Sequence, residues 1–129
     1  MQPLEVEHDV RGNVVVVRVK GDVDSLSVDT LNSHLAKARG NAVCHPSRLI
    51  VIDLSEVTYF GSAALNAVLS CHEEGAAEGT SVAVVADQPY VMQPIRITGM
   101  HRVLETHPTI EQALQRDGQS PDGDGRTPR

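Results

Sequence analysis

The chain has 129 residues, of which 40 % are hydrophobic, and this size and apolar content match a single domain with one core. It contains no Trp, one Phe and two Tyr, so the core must be aliphatic and there is no aromatic platform on which nucleic-acid bases could stack. The formal net charge of −6 opposes binding to a phosphate backbone, and we expect no nucleic-acid partner.

No stretch approaches the roughly 18 consecutive apolar residues of a membrane span, and the first residues lack the pattern of a cleavable signal. We therefore expect a cytoplasmic protein with no membrane partner. Cys44 and Cys71 stand alone, without the spacing of a metal or redox motif, and unpaired thiols are typical of a reducing compartment. A regulatory disulfide between them is the alternative.

The chain begins with a pattern that predicts a β-hairpin. Residues 4–10 alternate apolar and polar side chains, residues 11–13 favour a turn, and residues 14–19 form a β-branched run. Gly21 is expected to end the second strand.

A helix on the sheet is predicted next, because apolar residues recur at 28, 31, 35 and 38 on one helical face. Its candidate caps are Asp24, Ser25 and Ser27, and Gly40 is its expected end. Residues 48–54 then form a continuous apolar strand of the kind buried on both faces of a parallel sheet. A short polar turn leads from this strand into a helix that starts at Ser62.

The second helix has apolar residues at 65, 68 and 69 with His72 on the same face, and it should end within residues 75–79. Residues 81–86 predict another buried strand. A third helix starts at Pro89 and ends at Gly99, with Pro94 inside it and Val91, Ile95 and Thr98 facing inward.

The final elements are a brief edge strand at residues 103–104 and a last helix that starts at residues 108–109. Residues 1–116 are expected to form the domain, and residues 117–129, rich in Gly and Pro, a disordered tail. Strands that alternate with helices predict an α/β fold. We expect a mostly parallel sheet of four or five strands, an N-terminal β-hairpin, and about four helices packed mainly on one face.

Ser62 stands at a predicted helix N-terminus, where the first backbone N–H groups have no internal partners and carry a partial positive charge. A phosphoryl group on Ser62 is therefore compatible with the fold, and it would add a charge of about −1.5 to −2 to the surface. The alternative is that Ser62 is a first-turn serine that only satisfies backbone donors.

Catalytic motifs are missing from the sequence. The six histidines do not recur at metal-ligand spacings, and no glycine-rich phosphate-binding loop is present. Cys71 and His72 are adjacent on a helix and so do not face each other. We expect no metal, no cofactor and no enzymatic activity, and any ATP would belong to a partner.

Three stretches resemble the STAS domain family, named for sulphate transporters and anti-sigma factor antagonists. Gly21-Asp22-Val23-Asp24 follows an apolar strand, as the family's G-[DE]-hydrophobic-D motif does. Residues 53–65 (DLSEVTYFGSAAL) resemble the D-L-S-x-V-x-[FY]-hydrophobic-D-S-[ST]-G-[LI] signature, and residues 94–100 (PIRITGM) resemble the late helix and its hydrophobic-x-x-x-G-[LM] exit. The resemblance spans residues 4–115.

By this resemblance, Ser62 is the phosphoacceptor, and the acidic loop lies beside it on a kinase-binding face. The partner-binding residues that it implies are Asp22, Asp24, Tyr59, Phe60, Gly61, Ser62, Ala63, Ala64, Leu65, Gly99 and Met100. The implied function is that of an anti-sigma factor antagonist, which binds an anti-sigma factor of the ATP-dependent serine-kinase type and frees a sigma factor. Phosphorylation of Ser62 would weaken docking, and a serine phosphatase would reset it.

The sequence departs from the signature at three positions around Ser62. Gly61 replaces the acidic residue, Ala63 the second hydroxyl, and Ala64 the glycine. One alternative is therefore a scaffold STAS protein without phosphorylation, within a stress-sensing or lipid-transport assembly. Another is a sensor of a nucleotide or small ligand. For Asp22 and Asp24 the alternative to docking is capping of the following helix, and Asp53 is expected to be structural.

Overall fold

The computed structural model describes residues 2–118. In chain order the elements are β1 (Glu5–Arg11), β2 (Val14–Val23), α1 (Val28–Ala42), β3 (Leu49–Phe60), α2 (Ser62–Ala77), β4 (Ser81–Val85), α3 (Pro89–Ile97), β5 (Glu105–His107) and α4 (Ile110–Gly118). A 3₁₀ turn, Met100–Arg102, connects α3 to β5. Within this part of the chain, no helix is long and apolar enough to cross a membrane.

The five strands form one sheet in the order β1-β2-β3-β4-β5. β1 and β2 are an antiparallel hairpin, and the other neighbouring pairs are parallel. Parallel crossovers are right-handed, so a strand order that follows the chain places α1, α2 and α3 on the same face. The predicted α/β fold, with its mostly parallel sheet, its hairpin and its helices mainly on one face, is confirmed.

Aliphatic side chains bury both faces of the sheet. Alternate strand residues, among them Val15, Val17, Ile50 and Ile52, form the larger core with α1, α2 and α3. The intervening residues, Val14, Val16, Leu49 and Val51, form a smaller core with Ala113 of α4. The β-branched run of β2 and the continuous apolar start of β3 are therefore buried on both faces, as parallel sheets require.

Two glycines that are expected to end their elements lie inside them instead. β2 continues through Gly21, which has a φ of 91°, to Val23, and the register against β3 shifts between Gly21 and Asp22. A glycine with positive φ at such an irregularity bends a strand without ending it. α1 continues past Gly40 to Ala42, because an exposed glycine weakens a helix without stopping it.

The prediction of a polar turn after residue 54 is wrong, because β3 continues through residues 55–59 to Phe60. Pairing of β3 with β4 ends at Asp53, but pairing with β2 continues as far as Val23 and Phe60. Two register shifts occur along this pair. The second half of β3 therefore extends beyond β4 and leads directly into α2.

The C-terminal third differs in detail from the prediction. Pro94 lies inside α3 without ending it, and Thr98 is exposed, with its hydroxyl donating to the Pro94 carbonyl at 2.7 Å. The edge strand is β5, two residues later than predicted, because the chain first turns through the 3₁₀ segment. α4 continues to Gly118, and residues 119–129 of the predicted tail lie outside the described residues.

The contrast between Gly21 and Gly40 gives a stability test. A Cβ on Gly21 would overlap the carbonyl of Pro3 in a backbone conformation that side chains disfavour, whereas a Cβ on Gly40 would meet no atom within 4 Å. We expect Gly21→Ala to lower the free energy of unfolding by about 1–3 kcal/mol, and Gly40→Ala to raise it by about 0.4–1 kcal/mol. Urea denaturation of the two variants measures both changes, and equal stabilities would contradict the role assigned to Gly21.

Candidate functional site

The candidate site lies at the carboxyl edge of the parallel strands. β2, β3 and β4 all end at this edge, and α1, α2 and α3 begin there. Three helix N-termini therefore lie along this edge of the sheet.

Ser62 is the first residue of α2 and is exposed. The N-cap residue is Gly61, in an extended conformation, and it supplies no side-chain acceptor to the first N–H groups of the helix. The first turn also carries no acidic residue. The start of α2 therefore keeps its unneutralised partial positive charge next to the Ser62 hydroxyl, which favours an anion at this position.

The aromatic ring of Tyr59 lies over Gly61. A Cβ on Gly61 would come within 3.0 Å of the Tyr59 hydroxyl oxygen and 3.1 Å of its Cε2. Tyr59 itself remains 52 % exposed. A Cβ at position 61 would require this ring to shift by a few tenths of an ångström, so the glycine that replaces the signature's acidic residue leaves room for the ring in its present position.

The other residues of the predicted docking run divide between surface and core. Tyr59, Gly61, Ser62 and Ala63 are at least partly accessible. The side chains of Phe60, Ala64 and Leu65 are buried in the larger core. In this conformation, the accessible residues alone can contact a partner, and the buried three position them.

Asp22 holds three segments together at this edge. Its carboxylate accepts a hydrogen bond from the Thr58 hydroxyl at 2.6 Å and another from the Gln2 backbone N–H at 3.2 Å. The Thr58 hydrogen bond is the largest cause that lowers the pKa of Asp22 below its ordinary value. Asp22 therefore links the end of β2 to the end of β3 and to the residues before β1.

Asp24 builds the turn between β2 and α1. Its Oδ1 accepts hydrogen bonds from the backbone N–H of Leu26 at 3.0 Å and of Ser27 at 3.1 Å, and from the Ser27 hydroxyl at 3.1 Å. The Asp24 N–H in turn donates to the Ser27 hydroxyl at 3.1 Å. Of the candidate caps, Ser27 is the N-cap residue of α1, but its side chain makes no capping hydrogen bond to the helix. The Asp24 carboxylate orders the turn before α1 and does not cap the helix itself.

Residues at the start of α3 fix the second half of β3. The Gln88 side-chain amide donates to the carbonyls of Leu54 at 2.8 Å and Val57 at 3.3 Å, and the Tyr90 hydroxyl donates to the Val57 carbonyl at 2.8 Å. Sequence reasoning missed both residues, because a glutamine and a tyrosine at a helix start carry no signal of a distant backbone partner.

Gly99 and Met100 are not brought together with Ser62. α3 starts at the carboxyl edge and runs back along the sheet, and its nine residues span about 13 Å. Met100 packs against the larger core, and Val103, just beyond it, borders the C-terminal half of α2 at His72 and Ala76. These two predicted docking residues therefore lie towards the end of α2 opposite to Ser62.

Asp53 lies within β3 rather than at its end, and it is buried. Its Oδ1 accepts hydrogen bonds from the Ser55 hydroxyl at 2.7 Å and the Ser55 N–H at 3.0 Å. These bonds between neighbouring residues occur where β4 stops pairing with β3. Such a local contact agrees with the expectation that Asp53 is structural.

A groove of about 450 Å³ between α1 and α2 opens next to Ser62. Val28 and Ala63 line its near end, and Leu35, Ala67 and Cys71 lie along its length. At the far end Arg39 pairs with Glu74 at 2.9 Å and with Glu78 at 3.4 Å. Because two carboxylates already neutralise this guanidinium, the groove is poorly suited to a phosphate or a nucleotide.

The two thiols are free, Cys44 exposed and Cys71 buried. Burial is the main cause that raises the pKa of Cys71, so its thiol is protonated near neutral pH. Within residues 2–118, no group of three or more His, Cys, Asp and Glu side chains is placed to hold a metal ion.

Comparison with known proteins gives concordant matches. A family model for the STAS domain matches residues 5–113. The anti-sigma-F factor antagonist RsfB of Mycobacterium tuberculosis is 28 % identical over 101 residues, which are 78 % of this chain and 79 % of RsfB. An anti-sigma factor antagonist from Mycobacterium paratuberculosis has a solved structure with a TM-score of 0.81 and 27 % identity, covering 90 % of this chain and 95 % of that one.

The Bacillus cell fate determinant SpoIIAA, solved in its phosphorylated form, has the same fold. Its TM-score is 0.64 and its identity 19 %, over 88 % of this chain and 98 % of SpoIIAA. The relatives of this chain are thus anti-sigma factor antagonists.

The Thr58 hydrogen bond can be tested through the pKa of Asp22. We expect Thr58→Val to raise this pKa towards its ordinary value, measured by NMR titration of the side-chain carboxyl carbon, and Thr30→Val on the exposed face of α1 to leave it unchanged. Because folding lowers the pKa, ionised Asp22 stabilises the fold above its unfolded-state pKa, and this contribution is lost as the pH falls through the lowered value. An unaltered midpoint in Thr58→Val would contradict the assignment.

Proposed function

Since the chain belongs to the STAS domain family, we propose that it is an anti-sigma factor antagonist that is switched by phosphorylation of Ser62. It binds an anti-sigma factor of the ATP-dependent serine-kinase type, and the sigma factor held by that protein is released. The chain acts by binding and not as an enzyme, and the ATP belongs to the partner. A serine phosphatase restores the unmodified form.

The observation that carries this proposal is the exposed hydroxyl of Ser62 at the uncapped start of α2. A kinase can reach this hydroxyl without unfolding the helix. The helix N-terminus then stabilises the phosphoryl group, so the fold tolerates both forms. SpoIIAA exists in a phosphorylated form, which supports the compatibility of this fold with a phosphoryl group.

The proposed docking surface consists of accessible residues around that hydroxyl. It comprises Asp22, Asp24, Tyr59, Gly61, Ser62 and Ala63. Gly99 and Met100 are left out because they lie at the other end of α3. Gly61 has no side chain, so a partner can approach the backbone closely beside Ser62.

Phosphorylation weakens docking through the charge that it adds. A group of charge about −1.5 to −2 must lose water when the interface closes, and an ion without a matched partner costs several kcal/mol to desolvate. It also adds to the negative charge of Asp22 and Asp24 at the same edge. A bound partner is therefore released after modification, and the unmodified chain binds again.

The proposal can be tested with the purified serine-kinase-type anti-sigma factors encoded in the genome that carries this chain. We expect wild type and Ser62→Ala to bind one of them, and Ser62→Glu to bind at least about tenfold more weakly, measured by isothermal titration calorimetry. Incubation with that kinase and ATP should add one phosphoryl group to wild type and none to Ser62→Ala, measured by intact mass.

Ser81→Glu is the matched control, because Ser81 is exposed at the start of β4, at the opposite edge of the sheet. It should bind as wild type does. Equal binding of Ser62→Glu and wild type would remove the switch and favour a scaffold STAS protein. Binding of nucleotide to the chain alone would favour the sensor.

A further inference from the structure

We propose that Leu26 is the apolar anchor by which this chain docks into an apolar pocket of its anti-sigma factor. This inference rests on the proposed function, and it adds a specificity-determining residue from outside the STAS signature. Leu26 lies in the turn between β2 and α1, two residues before the helix.

Leu26 is 92 % exposed, more than any other large apolar side chain in the described part of the chain. A leucine in this position gains nothing from the fold of the free chain. Buried at an interface, the same side chain contributes as much as a core leucine does. Single exposed apolar residues are common on protein surfaces, so the binding role is inferred from this exposure together with the position of Leu26 at the edge that carries Ser62.

The turn holds Leu26 in place before any partner arrives. The Leu26 N–H donates to Asp24 Oδ1 at 3.0 Å, and the single Ser27 hydroxyl proton can be donated either to the Asp24 carboxylate at 3.1 Å or to the Asp22 carbonyl at 3.3 Å. A side chain that projects from an ordered turn loses little backbone entropy on binding, which is the advantage of a preorganised anchor.

The position of Leu26 makes it continuous with the Ser62 surface. Val28 of α1 and Ala63 of α2 line the near end of the same groove. Leu26 lies two residues before Val28, and Ser62 one residue before Ala63, at the edge where both helices begin. Tyr59 and Tyr90, both about half exposed, lie at the same edge. Leu26 therefore belongs to the same proposed interface as Ser62.

Other exposed apolar residues lie elsewhere and provide a control. Ile97, at the C-terminal end of α3, is 79 % exposed. It matches Leu26 in size and accessibility but lies towards the opposite edge of the sheet. If a more polar surface alone altered binding, the same substitution at Leu26 and at Ile97 would have equal effects. If Leu26 is an anchor, only the substitution of Leu26 weakens binding.

The test compares Leu26→Asp, Leu26→Ala, Leu26→Met and Ile97→Asp by calorimetry against the kinase-type anti-sigma factor that binds the wild type. We expect Leu26→Asp, and also the uncharged Leu26→Ala that separates lost apolar contact from added charge, to weaken binding by about 10–100-fold. Leu26→Met and Ile97→Asp should stay within about threefold of wild type, because methionine conserves apolar volume. Unchanged melting temperatures exclude a folding effect.

The outcomes separate the inference from the proposed function. If wild type binds no kinase-type anti-sigma factor, the proposed function fails and the anchor fails with it. If wild type binds and Leu26→Asp binds equally well, only the anchor is wrong. If Leu26→Asp abolishes self-association on a light-scattering column without altering anti-sigma factor binding, Leu26 contacts a second copy and the inference is overturned.

Discussion

The hydrogen bonds from Gln88 and Tyr90 to the carbonyls of β3 hold the segment on which the candidate site is built. Residues 54–60 extend beyond β4, so on that side their backbone has no neighbouring strand. A partly buried carbonyl without a partner costs about 1–3 kcal/mol. The start of α3 supplies the missing donors, and β2 pairs with the other side. Ser62 has a defined position because α3 binds two carbonyls of this segment and β2 pairs with its other side.

The elements that bury apolar surface could be predicted from the sequence. The β-branched run of β2, the continuous apolar start of β3 and the spacing of Leu31, Leu35 and Ala38 each have a single reasonable interpretation. Ser55, Glu56 and Thr58 suggested a turn because their polar side chains do not alternate as an ordinary strand does. The backbone hydrogen-bond partners that keep this segment in β3 lie on β2 and α3. Local sequence patterns carry no information about such distant contacts.

The candidate site could be predicted only in part, because some of its features also depend on contacts between residues that are distant in sequence. The motif around Ser62 indicated the residue and the helix start, and both lie where expected. The motif could not separate Tyr59, which is half exposed, from Phe60, which is buried, because the register shifts in β3 decide which side chains of that strand face the core. Gly99 and Met100 follow α3 closely in sequence, yet the direction of that helix carries them away from Ser62. One sequence feature points to Leu26 as a surface residue with a role in binding: it is a large aliphatic residue within a polar turn.

The Asp24–Ser27 turn also has a consequence for the speed of partner exchange. The turn is already ordered in the isolated chain, and the neighbouring end of β3 is fixed by α3, so association need not wait for a folding step at the interface. Rigid surfaces of this kind commonly associate at 10⁵–10⁷ M⁻¹s⁻¹, and differences in affinity then appear mainly in the dissociation rate. The lifetime of a complex at this edge, rather than the frequency of encounters, therefore decides how long a bound protein is withheld from its other partners.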